Sequence, residues 1–151
     1  MARTLSSAGA LPSTGSRTVT GNARQFALEL DREFAAAMGD VRKAVVRLAT
    51  QGLAGVQQKS PVDTGQFRSN WLVSIATPDP SVIEGPGAAL AQKSAGALAS
   101  YAAREGFPVI YLQNNLPYAT RLEDGYSKQA PNGMVSLTVA ELAAMWNGMR
   151  V

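Results

Sequence analysis

Ser60-Pro61-Val62-Asp63-Thr64-Gly65-Gln66-Phe67-Arg68 is the stretch on which the reading of this chain turns. A helix-like pattern runs into it and a strand-like pattern leaves it. Pro61 ends the helix, because the residue before a proline avoids helical dihedrals. Asp63-Thr64-Gly65 reads as a turn: the Asp side chain can hydrogen-bond the backbone ahead of it, and Gly accepts positive φ. Phe67, Trp71, Val73 and Ile75 then alternate with Arg68, Asn70 and Ser74, which predicts a half-buried strand.

Upstream, residues 22–59 carry the strongest helical pattern. Phe26, Leu30, Phe34, Met38, Val41, Val45, Leu48 and Val56 recur mostly at three- and four-residue steps, with Asn22 as the N-cap. Gly39, Gly52 and Gly55 interrupt the pattern locally. At 1.5 Å per residue the helix would be roughly 50 Å long, enough to lie across a sheet and reach a neighbouring subunit. Residues 1–21 are rich in Ser, Thr, Gly and Ala without periodicity and read as a flexible arm.

Downstream, Pro78-Asp79-Pro80 marks a turn and Ser81–Glu84 a short return strand, so that residues 67–84 form a hairpin. Ala88–Arg104 is an Ala-rich second helix with Gly106 as its C-cap, and Val109–Leu112 a third strand. Asn114-Asn115-Leu116-Pro117 turns the chain, and Tyr118–Glu123 is a short strand or single helical turn. Thr138-Val139-Ala140-Glu141 matches a capping box before a C-terminal helix with Val139, Leu142, Trp146 and Met149 on one face. Trp71 and Trp146 are expected in the core. The expected fold is α+β: a long N-terminal helix across a small, mainly antiparallel sheet, with an Ala-rich helix and a short C-terminal helix, as one domain over 22–151.

Composition narrows the chemistry. The 151 residues contain neither cysteine nor histidine, which removes disulfides, thiolate metal sites and the usual general base of hydrolases. No metal and no cofactor is expected, and no apolar run approaches the ~18–20 residues of a membrane helix. The net charge is +3, with eight Lys and Arg against four acids in residues 1–60 and six against seven in 61–151. The basic half reads first as a solvated helix face, with a surface facing DNA or an acidic partner subunit as the sharper alternative.

Asp63-Thr64-Gly65 is also the catalytic triplet of aspartic proteases. Those enzymes need two carboxylates about 3 Å apart sharing a proton. A chain with one triplet would have to dimerise, and here a helix precedes the triplet where the chemistry requires an all-β setting. A turn-forming or capping Asp63 is the reading preferred. Glu123 and Asp124 are adjacent acids, read as a turn with a solvated charge or an inter-subunit salt bridge rather than an acid–base pair. The tyrosines Tyr101, Tyr111, Tyr118 and Tyr126 are spread over several elements, which favours core or interface roles over a stacking surface for nucleic acid.

Two segments together carry a family resemblance: Ser60 to Trp71, and Asn114 to Val135 with its Asn-Asn-Leu-Pro-Tyr-Ala and Gln129-Ala130-Pro131-Asn132-Gly133-Met134-Val135 runs. This order resembles the neck and tail-completion proteins (minor tail component, head–tail joining) of long-tailed, lambda-like bacteriophages. Phe67 replaces a commoner Leu, and Asp124 stands where an aromatic is frequent. The resemblance implies a non-enzymatic virion protein, made in the host bacterial cytoplasm and built into the neck or tail. It implies a homo-oligomeric ring, sixfold or a multiple, around the DNA channel. Its neighbours would be tail-terminator, tail-tube or connector proteins, with non-specific contact to packaged DNA. The motif and interface residues it marks are Pro61, Asp63, Thr64, Gly65, Phe67, Arg68, Trp71, Pro117, Tyr118, Leu122, Glu123 and Gly125. The competing readings are a small nucleic-acid-binding protein and a dimeric aspartic protease acting through Asp63.

Overall fold

The structure, a computed structural model, describes residues 14–149. The fold is α+β. In order, α1 is Thr14–Lys59, α2 Gln66–Ser69, β1 Trp71–Ile75, α3 Ala89–Ser100, β2 Ile110–Asn114, α4 Ala119–Glu123 and α5 Val135–Gly148, with one 3-10 turn at Tyr101–Ala103. The chain divides into two compact units at Met38–Gly39.

Helix α1 begins upstream of Asn22, which is not its cap. Once a helix is nucleated, each further turn costs little, and Gly21 is a penalty of about 1 kcal/mol rather than a stop. The remainder of the expected arm, residues 1–13, lies outside the described residues. In the first unit, Phe26, Leu28, Leu30 and Phe34 are exposed.

In the second unit, Val56 is buried and Val41, Val45 and Leu48 are half-buried. Gly52 and Gly55 have a positive role. A Cβ on Gly55 would stand 2.8 Å from Thr138 Cγ2, and one on Gly52 3.2 Å from Leu142 Cδ1, so these glycines admit α5 against α1. The main core cluster joins Val56, Phe67, Trp71, Leu116, Ala130 and Met134, with Leu53, Leu112, Ala119 and Leu122 packed against it. The end of α1, both strands and α4 therefore share one core.

The sheet has two antiparallel strands, Trp71 opposite Asn114 through Ile75 opposite Ile110. The partner of β1 is thus not Ser81–Glu84, and the expected hairpin does not form. The Ile83 N–H and carbonyl are taken by the Asn70 side chain rather than by a strand. Side-chain amides hold this segment instead. Gln113 Nε2 donates to the Asp79 carbonyl at 2.6 Å, and Asn115 Nδ2 to the Asp79 and Ser81 carbonyls at 2.8 and 3.0 Å. The Asp79 carboxylate pairs with Lys93 and accepts from Ser81, which holds its pKa down at about 2.

All five residues of β1 are buried, rather than alternating. On the edge of β1 away from β2, the outward Val73 N–H donates to Ser94 Oγ of α3 at 2.8 Å, and Ser94 in turn donates to the Leu90 carbonyl. A helix thereby covers what would be an open strand edge. Phe67 belongs to α2, not to the strand, and Asn70 is fully buried.

The end of the chain departs most from expectation. Helix α5 starts at Val135, so Thr138 is an interior, buried residue and not a cap. Its hydroxyl has no hydrogen-bond partner among the described residues. Trp146 is 44% exposed and Val139 57%, so neither joins the core, whereas Trp71 is 4% exposed.

Candidate functional site

The turn after α1 is built as the sequence suggests at one position. Gly65 has φ 73°, in the left-handed region, and starts α2. Thr64 Oγ accepts weakly from the Gln66 N–H at 3.3 Å. Gly65→Val is expected to lose about 2 kcal/mol, since a β-branched residue is strained at this φ and its Cβ would approach Pro86 Cβ to 3.2 Å. Thermal unfolding checks it; an unchanged midpoint would contradict the turn.

Asp63 does not cap the backbone ahead of it. Its carboxylate accepts from Gln129 Nε2 at 3.0 Å, while Gln129 Oε1 accepts the Val62 N–H at 2.9 Å. One amide thus ties together two stretches 67 residues apart in sequence. Between them lies a cleft of about 380 Å³ lined by Pro61, Asp63, Thr64, Phe67, Tyr118, Leu122, Tyr126 and Ser127. Phe67 forms its floor, with ring centroids 5.8 Å from Trp71 and 5.9 Å from Tyr118. Tyr126 is exposed, and the Arg121 guanidinium stands 4.4 Å over its ring.

The structure thereby brings six of the expected residues to one place: Pro61, Asp63, Thr64, Phe67, Tyr118 and Leu122. Gly65 and Gly125 (φ 81°) shape the flanking turns. Trp71 lies behind Phe67 in the core. Arg68 and Pro117 are exposed and do not line the cleft.

Glu123 has a role the sequence reading missed. At the end of α4, its carboxylate accepts the Met134 and Val135 N–H groups at 2.7 and 2.8 Å and the Ser136 N–H at 2.9 Å. It therefore caps the N-terminus of α5, where three donors lack helical partners. Glu123 is not a solvated turn charge. Partial burial pushes its carboxyl up, and the backbone donors of Val135, Ser136 and Met134 outweigh this and hold its pKa below the usual value.

The sign of the pH effect follows. A carboxylate depressed in the folded state stabilises above its unfolded pKa of about 4.3, and that contribution disappears as pH falls through the folded value. Glu123→Gln is expected to cost about 1–2 kcal/mol at pH 7. The gap to the parent chain narrows as pH falls from about 5 toward 3, as urea unfolding at several pH values would measure.

Other residues unmarked beforehand are Ser60, Asn70, Asn114 and Gln129. Buried Ser60 Oγ accepts from Trp71 Nε1 at 2.7 Å and donates to the Val56 carbonyl at 2.6 Å. Asn114 Nδ2 donates to the Phe67 carbonyl at 2.9 Å. All four lie within the two quoted segments, but their pairings depend on distant partners that no local pattern names. No group of three or more acidic residues that could hold a metal ion occurs among the described residues. No family model, curated protein or solved structure matches the chain.

Proposed function

We propose that this protein is a structural component of a tailed-bacteriophage virion, a neck or tail-completion protein acting as a ring at the head–tail junction. The observation that carries the reading is the meeting of the two resemblance-bearing segments in one bonded unit. Gln129 of the second segment grips Val62 and Asp63 of the first, and Glu123 anchors α5. Asp63, Phe67, Trp71 and Glu123 among the motif residues are occupied in holding the chain together. Asp63 engages a neutral amide rather than a second carboxylate. These roles suit an assembly module, whose function lies in presenting surfaces.

The test is native mass spectrometry and negative-stain imaging of the full chain, alone and with purified tail tubes. Rings, or density capping one tube end, are expected. A monomer that ignores tubes but binds DNA, with affinity falling steeply in salt, would replace this reading with a nucleic-acid-binding one. Peptide cleavage by a tight dimer, abolished by Asp63→Asn, would replace it with a protease.

A further inference from the structure

An apolar groove of about 540 Å³ lies between α1 and α3, floored by Val46, Leu98, Ala99 and Ala102. Three cations rim it: Arg42, Lys43 and Arg47. They are not equivalent. The Arg42 guanidinium is fixed, donating to the Gly106 carbonyl at 3.1 Å and lying 5.4 Å from the Phe107 ring centroid. Lys43 pairs with Asp40 at 3.0 Å. Arg47 is exposed and has no ion-pair partner among the described residues.

The same chain carries a segment of opposite character. Along α1, Phe26, Leu30 and Phe34 repeat at four-residue steps, so they form one stripe. Phe26 is 66% exposed and Phe34 63%, although each would gain by burial. Glu29 and Glu33, also four apart, run directly beside that stripe, while Arg32 projects from the other side of the helix. An apolar ridge with an acidic flank is complementary to an apolar groove with a basic rim. Every copy of the chain carries both features, so a second copy can supply the ridge for the groove of the first.

We infer that the groove at Arg42, Val46, Arg47 and Leu98 receives the Phe26–Phe34 stripe of a second copy of this chain, with Glu33 and Glu29 set against Arg47. This is a heterologous contact, in which each copy offers a ridge and a groove, and such contacts close into rings when the rotation permits. The inference deepens the proposed function and rests on it for the expectation of a ring. The contact itself is tested without phage components.

The experiment is sedimentation and native mass spectrometry of the full chain and of Arg47→Glu and Glu33→Arg. The parent chain is expected to self-associate, more weakly as salt rises. Each single variant opposes like charges, which weakens association about tenfold or more, with the far-UV circular dichroism unchanged because both side chains are exposed. Mixing the two variants is expected to restore assembly with an even copy number, since each then meets a complementary neighbour. A monomeric parent chain, an oligomer indifferent to both changes, or a mixture that fails to reassemble would overturn the inference. Assembly that follows this pattern while tail tubes stay uncapped would leave the contact standing and reject the neck role.

Discussion

Gly133→Ala is expected to lower the unfolding free energy by about 3–4 kcal/mol and the thermal midpoint by roughly 10 °C. Two costs combine. Gly133 has φ 75°, where an L side chain is strained, and the added Cβ would stand 2.6 Å from both the Glu123 carbonyl oxygen and Glu123 Oε1. The backbone oxygen cannot swing away. The carboxylate can, and in doing so it releases the N–H groups of Met134, Val135 and Ser136. The glycine is therefore what lets the end of α4 dock on the start of α5. Gly96→Ala in α3 is the contrast. Nothing lies within 4 Å of its added Cβ, and an alanine in a helix is worth up to about 1 kcal/mol over glycine. Differential scanning calorimetry of both variants separates the cases. Equal midpoints would remove the close approach as the reason for Gly133.

The contrast shows what a sequence exposes. Long periodic stretches were legible. The body of α1, the α3 segment and the positions of both strands follow from repeat spacing and from Gly and Pro punctuation. Pairing was not. Ser81–Glu84 looked like the partner of β1 because it is near in sequence, yet Ile110–Asn114 takes that place, while Asn70 occupies the Ile83 N–H and carbonyl and Gln113 and Asn115 bind the segment from the side. Phe67 fitted an alternating pattern by chance, because a single helical turn is too short for its own period to show. Thr138 satisfied a local capping pattern, but Glu123, from another helix, supplies a charge and two oxygens to the true end of α5. The cleft was half legible. Its residues lie in the two quoted motifs, while the bond that joins them runs through Gln129, which no local rule selects.

Asn70 is the most demanding polar residue in the core, and its substitution is the other large effect expected. It is fully buried between α2 and β1. Its Nδ2 donates to the Gln66 and Ile83 carbonyls at 2.8 and 2.9 Å, and its Oδ1 accepts the Ile83 N–H at 2.9 Å. One side chain thus replaces a missing strand partner for the segment after β1. Asn70→Ala opens a cavity and leaves these backbone groups unpaired, at a cost of about 3 kcal/mol. Asn70→Asp keeps the shape and separates the two causes. At pH 7 a carboxylate oxygen would face two carbonyl oxygens where the amide now donates, so the loss is expected to equal or exceed that of Ala. The buried carboxyl has its folded pKa raised above the unfolded value of about 3.9, so its protonated form is the tolerated one. The penalty is then smallest below that value and grows as pH rises through the folded pKa. Urea unfolding at pH 7 and pH 4 should show the gap between Asn70→Asp and Asn70→Ala shift in favour of Asp on acidification, the opposite trend to Glu123. A gap that ignores pH would mean that the Ile83 segment leaves Asn70 for water, and that the amide is not what holds it.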